Sequence, residues 1–366
     1  MDDISGENGR FVRVITAANG KKAFLRIYKD NHVYPYESQI STALKTLLQE
    51  APMVGFVTGH KERSGMDMGE KGYGTFASNK TFRYSLENSG YGVREISLEH
   101  PVAEDINIIV LADMRSDFTE EEFRNFDAYL ERGGNLFILG EPKRQQFMNP
   151  VIERLGLRFA DGIIVSPSEV NLDDLVAANI KEGAAKVSEN YIRYFRSGYS
   201  IMTPSACAVE VIDSAKGFEI TEVLASAGKG SWVEKETTDF INEKSVLNPA
   251  VGEVEKSNSI MLYLTRPVNN KEQRIFVIGD ADCISTLELS QNRPGFRSSN
   301  FTLITETFRN LSYGEFPVEA SRVNPPDDRV LVTRNVIFGI RVVLMWIIPL
   351  LFVTGCITLL IRRKRK

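Results

Sequence analysis

The sequence predicts an α/β fold with a mostly parallel, Rossmann-like sheet and one C-terminal transmembrane helix. Two nearly continuous apolar runs, 106–112 and 135–140, have the composition of central parallel strands that are covered on both faces. A helix is predicted between them, and strand, helix and strand in this order form a right-handed βαβ unit. The third observation is an uncharged stretch of 20 residues, 342–361, which is long enough to cross a bilayer.

The helix between the two apolar runs has clear start and stop signals. Thr119 is followed three residues later by Glu122, the capping-box pattern that satisfies free backbone N–H groups. Gly133 and Gly134 are expected to end the helix, because glycine adopts left-handed geometry without steric cost. Its apolar residues recur at helical spacing: Phe123, Phe126, Tyr129 and Leu130.

The first 50 residues predict a β-hairpin and a helix. Two runs of strand-forming residues, 11–15 and 23–27, flank the turn Asn19-Gly20. The helix falls within 36–50, where the sequence places four apolar residues on one helical face: Ile40, Leu44, Leu47 and Leu48.

The α/β pattern is interrupted by a section of short β-like runs with polar breaks, which we interpret as an inserted, β-rich section. The α/β pattern then returns, with apolar runs at 260–264 and 274–279 and a helix at 300–309. The predicted organisation is 1–50 hairpin and helix, 51–165 first part of the α/β domain, 166–256 β-rich insertion, 257–314 second part of the α/β domain, 315–341 Pro-containing linker, 342–361 transmembrane helix and 362–366 basic tail.

The net charge of −4 conceals an asymmetry between the two ends of the chain. Residues 341–366 contain six Lys or Arg residues and no acid, so residues 1–340 have a formal charge of −10. An acidic soluble part argues against nucleic-acid binding, which requires a basic surface to neutralise phosphates.

The basic tail 362–366 predicts the orientation in the membrane. By the positive-inside rule the tail stays in the cytoplasm, and the soluble part lies in the periplasm. That placement requires an export signal, whereas residues 1–10 are polar and acidic. We therefore expect an upstream segment with one or more transmembrane helices. The alternative is a tail-anchored protein with its basic end outside.

The cysteine and glycine patterns predict no metal site and no cofactor. The three cysteines form no CxxC or Cys/His pattern of zinc spacing, and pairing of Cys207 with Cys283 is left open. The chain has no Gly-rich phosphate loop, so we expect that it is not itself an ATPase. The turn at Gly140-Glu141 has no Ser or Cys at its apex, unlike the nucleophile turn of a hydrolase.

Polar residues at the carboxyl ends of the predicted strands are the ligand-binding candidates, because open α/β sheets bind ligands there. Turn and helix capping is the competing interpretation, above all for the two aspartates at 280 and 282. The enzymatic alternative is a hydrolase or ligand-binding enzyme whose His60, Glu62, Asp113 and Asp280 act as acid and base in one closed pocket. Trp232 is a further candidate, for stacking on a sugar or peptide, although aromatic residues in β-rich sections are usually core. The candidates are His60, Glu62, Asp113, Arg115, Glu141, Asp280, Asp282 and Trp232. The Gly-rich stretch 63–79 predicts a flexible loop.

Taken in order, several landmarks resemble the GldG-like family, the gliding-motility type auxiliary component of bacterial ABC transporters. The segment 54–62 resembles the family's strand and GHxE-like turn, and 105–141 resembles its strand–helix–GGN–strand block. Ser231-Trp232 resembles a Ser-Trp pair, and 278–282 resembles a GD-D turn. The linker, the single span and the basic tail resemble the family's C-terminus, so the resemblance covers nearly the whole chain.

The resemblance implies an extracytoplasmic domain related to the class I glutamine amidotransferase-like fold, without that class's catalytic cysteine. Gly140-Glu141 stands where the nucleophile turn would be, which fits a non-enzymatic role. The resemblance also implies a bacterial inner-membrane location, an ABC-2 type permease as partner and a separate subunit as the ATPase. A purely structural membrane tether is a third interpretation.

Overall fold

A nine-stranded mixed sheet organises the first of two units into which the chain separates, Met1–Ala320 and Ser321–Lys366. The computed structural model describes residue 7, residues 12–320 and residues 334–365. The strands are β1 (Val12–Thr16), β2 (Lys22–Arg26), β3 (Met53–Val57), β4 (Gly92–Ile96), β5 (Ile106–Ala112), β6 (Asn135–Leu139), β7 (Leu157–Phe159), β8 (Ile163–Val165), β9 (Leu175–Ile180), β10 (Ser200–Pro204), β11 (Val209–Val211), β12 (Glu219–Ala225), β13 (Trp232–Glu234), β14 (Ser259–Val268) and β15 (Lys271–Ile278). The helices are α1 (Glu37–Leu48), α2 (Gly74–Ala77), α3 (Glu120–Glu131), α4 (Gln145–Ile152), α5 (Glu189–Arg196), α6 (Thr286–Ser290), α7 (Asn300–Leu311), α8 (Arg334–Val342) and α9 (Ile348–Lys364).

The strand order of the large sheet is β10–β9–β12–β14–β15–β6–β5–β3–β4. Neighbours from β15 to β4 run parallel, whereas β14, β12, β9 and β10 pair antiparallel. The α/β fold class is confirmed, but the prediction of a mostly parallel sheet is right for only one half. Strands β9, β10 and β12 come from the β-rich section and extend the same sheet.

The hairpin of β14 and β15 is the physical reason for the mixed sheet. Its two-residue loop consists of Asn269 and Asn270, which both have left-handed backbone geometry, with φ of 47° and 65°. Such loops match the twist of antiparallel strands, and Asn tolerates this geometry better than most residues. The chain therefore reverses at a point where the sequence pattern predicted a further α/β strand.

The predicted strand–helix–strand unit is confirmed, since β5 and β6 are adjacent and parallel and α3 connects them. Thr119 Oγ1 accepts a hydrogen bond from the Glu122 N–H at 3.2 Å, and the Thr119 N–H donates to Glu122 Oε2 at 2.7 Å, which is the predicted capping box. Gly133 is left-handed, with φ of +83°. A side chain at Gly134 would collide with the Tyr129 ring, because its Cβ would lie 2.2 Å from a ring carbon.

Each face of the sheet has its own apolar core. Alternate residues of β5 divide between them: Ile108 and Val110 pack on one face, whereas Ile109 and Leu111 pack on the other. The second core also contains Phe126 of α3. This double burial explains the continuous apolar composition that predicted β5 and β6.

The N-terminal segment forms a hairpin and a helix, but the helix buries little of its apolar face. Strands β1 and β2 pair antiparallel, with Gly20 in left-handed geometry in the turn. Leu47 of α1 packs against this hairpin. Ile40, Leu44 and Leu48 are 39%, 48% and 86% exposed; we call these three residues the α1 stripe.

The second unit contains a helix, Asn335–Lys364, that is long and apolar enough to cross a membrane. A π-helical turn, Val343–Ile347, separates α8 from α9. It ends two residues before Pro349 of α9, which has no N–H to donate within the helix, so the changed hydrogen-bond pattern lies where a regular helix is hardest to maintain. The predicted span 342–361 lies within this helix. Residues 321–333 of the predicted linker lie outside the described residues.

The three cysteines are free, so Cys207 and Cys283 form no disulfide in this structure. Both are buried in the first unit. The Cys207 Sγ donates to the Gly279 carbonyl at 3.2 Å, and burial raises the pKa of both thiols well above the usual value.

Candidate binding site at the carboxyl edge of the sheet

Strands β3, β5, β6 and β15 run parallel, so their carboxyl ends meet at one edge of the sheet. The segments that follow these strands bring together all but one of the predicted site residues, in agreement with the general rule for open α/β sheets. They are His60, Glu62, Asp113, Arg115, Glu141, Asp280 and Asp282.

Arg63 is the centre of this edge. Its side chain is only 4% exposed and contacts carboxyl groups from three strand ends. Arg63 Nε lies 3.3 Å from Asp113 Oδ2, Nη2 lies 3.3 Å from Glu141 Oε2, and Nη1 lies 2.5 Å from Asp282 Oδ1. Nη1 also donates to the Ala281 carbonyl at 3.2 Å. A buried arginine with several acceptors is costly to disrupt, because removal of either partner leaves an uncompensated buried charge.

Asp113 accepts hydrogen bonds from two further arginines. Arg115 Nη2 donates to Oδ2 at 2.7 Å, and Arg144 Nε donates to Oδ1 at 3.0 Å. Asp113 has left-handed backbone geometry, with φ of 53°. Non-glycine residues adopt this geometry at an energetic cost and retain it where the surrounding structure holds them.

Two more carboxyl groups at this edge have raised pKa values. Burial and, secondarily, the neighbouring Asp282 carboxylate raise the pKa of Glu141 to about 8, although Arg63 opposes the shift. Burial and the proximity of Glu141 raise the pKa of Asp280 well above its usual value. At neutral pH Glu141 is therefore mostly protonated.

Asp280 also caps the turn that follows β15, as the capping interpretation predicted. Its Oδ1 accepts from the N–H groups of Asp282 and Cys283 at 2.6 and 3.0 Å. Its Oδ2 is buried and has no hydrogen-bond partner among the described residues. Asp282 does not share the capping role, because its carboxylate lies against Arg63.

His60 belongs to a second, separate network. Its Nδ1 lies 3.4 Å from Glu62 Oε1, and its Nε2 lies 3.4 Å from Glu122 Oε2 in the capping box of α3. The His60 ring packs edge-on against Phe118, with 5.1 Å between ring centroids. Burial raises the pKa of Glu62, although the N–H groups of Glu62 and His60 oppose the shift.

The acid and base candidates therefore fall into two groups. Within residues 12–320, no side-chain hydrogen bond or ion pair joins His60 or Glu62 to Asp113 or Asp280. The link between the groups is through the backbone, where the Arg115 N–H donates to the His60 carbonyl at 2.9 Å. Among the described residues, no set of three His, Cys, Asp or Glu side chains is placed to hold a metal ion.

Trp232 lies away from this edge. It is part of β13, which pairs with β8 in a separate two-stranded sheet. Its indole N–H donates to Glu234 Oε2 at 3.2 Å, and its ring is buried with Ile163, Val165 and Phe240. This environment agrees with the core interpretation of Trp232.

The stretch 63–79, predicted as a flexible loop, is packed against the end of β15. Tyr73 and Phe76 are fully buried, and the Tyr73 hydroxyl donates to the Ala281 carbonyl at 2.8 Å. The sequence analysis missed Arg63 and Arg144 at this edge. Their positions in the sequence could have identified them, because each arginine immediately follows a strand-end segment that contains candidate residues.

The fold and the apolar helix identify the class of protein: an α/β protein with a candidate C-terminal membrane anchor. The family model described as "ABC-type uncharacterized transport system" (ABC_transp_aux) matches residues 51–311. Because this match spans more than half of the chain, the chain belongs to this family of auxiliary transport components. The predicted general family is confirmed, whereas the narrower GldG-like assignment stays a prediction.

Comparison with curated proteins found no match. Among solved structures, the chain is similar to the mmIFT52 N-terminal domain, with 13% identity, a TM-score of 0.47, and coverage of 74% of this chain and 100% of that one. A putative ThuA-like protein from Parabacteroides merdae has 12% identity and a TM-score of 0.35, with coverage of 68% and 95%. The exo-beta-1,4-mannosidase Op5Man5 from an Opitutaceae bacterium has 12% identity and a TM-score of 0.33, with coverage of 74% and 37%.

Proposed function

We propose that this chain is a non-catalytic, extracytoplasmic auxiliary subunit of an ABC-2 type transport system in a bacterial inner membrane, of the GldG-like kind. The family match is the observation that carries the proposal. The C-terminal helix packs with a permease, and a separate subunit hydrolyses ATP. The first unit contributes contacts with the substrate or with partner subunits.

Charge supports the proposed orientation. The acidic bulk of the chain lies outside the inner membrane, and the basic tail 362–366 remains in the cytoplasm. Protease added to intact spheroplasts should digest the first unit and spare an epitope fused after Lys366. Loss of the epitope with survival of the first unit would reverse the orientation and remove the basis for an extracytoplasmic role.

The separation of the acid and base candidates supports binding over hydrolysis. His60 pairs with two glutamates, whereas Asp113 is saturated by three arginines, so neither is positioned to transfer a proton to the other. We expect the His60→Gln variant to retain transport in proportion to its folded amount. A loss of transport at full abundance, with release of a hydrolysed product by the wild type alone, would favour the enzymatic alternative.

The α1 stripe is our proposed contact for the permease. Helix α1 packs against the last part of the first unit: Lys45 Nζ donates to the Glu315 carbonyl at 2.7 Å and lies 4.8 Å from the Phe316 ring centroid. The α1 stripe therefore lies on the helix that contacts Glu315 and Phe316, which precede the apolar helix in the sequence. An exposed aliphatic helix face suits an apolar protein surface better than a polar solute.

The test is recovery of named subunits from the native bacterium in mild detergent. The tagged full-length chain should recover a permease and an ATPase. The Ile40→Ser/Leu44→Ser variant should lose most of both, whereas Ile241→Ser, which changes an exposed aliphatic residue elsewhere, should not. Recovery of neither subunit by the wild type would contradict the proposed function. Equal recovery by all three chains would contradict the α1 contact alone.

A further inference from the structure

Two partly exposed arginines at the carboxyl edge of the sheet share one buried carboxylate. The Arg115 and Arg144 side chains are 39% and 28% exposed, whereas the Asp113 side chain between them is 1% exposed. Each guanidinium group contacts the buried Asp113 carboxylate and is also partly exposed to solvent. Arg63 holds the same carboxylate from the buried side, which fixes its position.

Backbone hydrogen bonds also hold Asp113 and Arg115 in place. The Asp113 N–H donates to the Leu139 carbonyl at 3.0 Å, and the Arg115 N–H donates to the His60 carbonyl at 2.9 Å. The Asp113 backbone is left-handed, and its carboxylate lies between the two arginines, which donate to its two different oxygens. Arginines that are ordered in advance lose little conformational entropy when they bind a ligand.

Most of the donor capacity of the two arginines is unused. A guanidinium has five N–H donors. Arg115 uses Nη2, and Arg144 uses Nε and one Nη1 contact with the Lys143 carbonyl at 3.3 Å. Within residues 12–320 these two side chains make no other hydrogen bond. Forked N–H groups of this kind match the paired oxygens of a carboxylate or phosphate.

The surroundings add positive charge to the site. Lys61 and Lys143, in the segments that follow β3 and β6, are exposed, and both have left-handed backbone geometry, with φ of 61° and 65°. Together with Asp113, three non-glycine residues at one sheet edge hold costly geometry, a pattern that clusters at functional sites. Three exposed acidic residues that follow Arg115 in the sequence limit the net positive charge: Asp117, Glu120 and Glu121. Recognition therefore depends on the guanidinium N–H groups and not on a general positive field.

We propose that Arg115 and Arg144, positioned by Asp113, form a binding site for an oxyanion group, a carboxylate or phosphate carried by a polar ligand. Arg115 and Arg144 contact the oxyanion, and Asp113 is a positioning residue. This inference deepens the binding role proposed above and rests on that role for its use in transport. The binding itself requires no partner subunit.

The experiment measures binding of inorganic phosphate and of citrate to the purified full-length chain in detergent, by calorimetry at constant ionic strength. The wild type should bind at least one of them saturably. The Arg115→Gln/Arg144→Gln variant should bind at least tenfold more weakly. Arg154→Gln, which removes a comparable partly exposed arginine from its Asp127 partner, should stay within twofold of the wild type.

Asp113→Asn separates positioning from simple charge. The substitution removes a negative charge next to the oxyanion, so attraction by net charge alone predicts tighter binding. Positioning predicts weaker binding, and Arg115→Lys, which keeps the charge but loses the fork, should be weakened as well. Circular dichroism confirms folding of each variant, and if Asp113→Asn does not fold, the Arg115→Lys result decides.

Two results would overturn the inference: no saturable binding of either anion by the wild type, or equal binding by the Arg115→Gln/Arg144→Gln variant. Binding of phosphate alone would assign a phosphate ligand, and binding of citrate alone would assign a carboxylate. Because no permease is present in this assay, its failure leaves the subunit-recovery result untouched, and the reverse also holds.

Discussion

Helices α1 and α3 are both 12 residues long, and both have an apolar stripe in the sequence, yet they differ in what they bury. α3 covers the large sheet and buries Phe126, Tyr129 and Leu130. α1 buries Ala43 and Leu47 against a two-stranded hairpin and leaves the α1 stripe exposed. Helical spacing thus predicts a helix, whereas the apolar area that the neighbouring element offers decides how much is buried.

The largest expected effect is on the α3 side. Phe126→Ala should lower the free energy of unfolding by roughly 3–5 kcal/mol, because a fully buried ring leaves a cavity. Leu48→Ala on α1 is the matched change and should cost less than about 0.5 kcal/mol. Denaturant unfolding of the full-length chain, followed by circular dichroism, measures both. Similar losses would contradict the difference in burial.

The stability of the carboxyl edge of the large sheet and that of the N-terminal hairpin should respond to pH in opposite directions. The pKa of Glu141 is about 8 in the folded chain against 4.5 ordinarily, so the folded state binds the additional proton between these values. The free energy of unfolding should therefore fall as pH rises from 5 to 7.5, on the order of 3 kcal/mol. Glu141→Gln should reduce the slope of pH-dependent unfolding by this amount, whereas Glu121→Gln, at an exposed position, should not change it. Asp280 and Glu62, whose pKa values are also raised, should keep a remaining slope of the same sign.

Beside β2, a hydrogen bond from Arg26 lowers the pKa of Glu7. Its contribution to stability is present above the ordinary pKa of 4.5 and is lost as pH falls through the lowered folded value. Glu7→Gln should thus flatten the acid limb of the same titration and leave the neutral limb unchanged. A Glu7→Gln chain with an altered neutral limb would mean that the two regions are coupled.

A smaller effect is expected at the start of α3. Thr119→Ala removes the acceptor for the Glu122 N–H and should cost about 1 kcal/mol. Ser116→Ala, at an exposed position three residues earlier, serves as control and should be neutral. A neutral Thr119→Ala chain would show that packing of α3 on the sheet, and not its cap, determines its stability.

The smallest effect on stability is expected on the α1 stripe itself. Leu44→Ser/Leu48→Ser should change the free energy of unfolding by less than about 0.5 kcal/mol, because Leu44 is about half exposed and Leu48 is mostly exposed. The same variant should lose most of the permease in the recovery assay. Strong destabilisation would mean that the stripe is covered in the folded chain.

Local features of this chain were predictable from sequence, and long-range ones were not. The capping box of α3, the Gly133 terminus and the buried composition of β5 each depend on residues close in the chain. The edge network depends on residues such as Arg63 and Asp282, which are 219 positions apart. Sequence predicted that the strand ends would meet, since parallel strands align their carboxyl ends, but not which side chain would connect them.

The mixed half of the sheet was missed for a similar reason. Apolar strands at 260–264 and 274–279 read alike whether their neighbours run parallel or antiparallel. The distinguishing signal was Asn269-Asn270, a loop pattern weaker than the usual Asn-Gly. The burial of α1 was unpredictable because the size of the surface beneath it is a property of the assembled hairpin.

The two buried thiols of the first unit can report transient opening of that unit. Cys207 and Cys283 are sheltered and held protonated, so an alkylating reagent meets neither an accessible sulfur nor a thiolate while the unit is closed. In a chain with Cys356→Ser, the rate of alkylation would therefore count excursions from the closed state. This alkylation rate can be measured in intact membranes, without an added dye. A partner that stabilises the closed first unit would lower it.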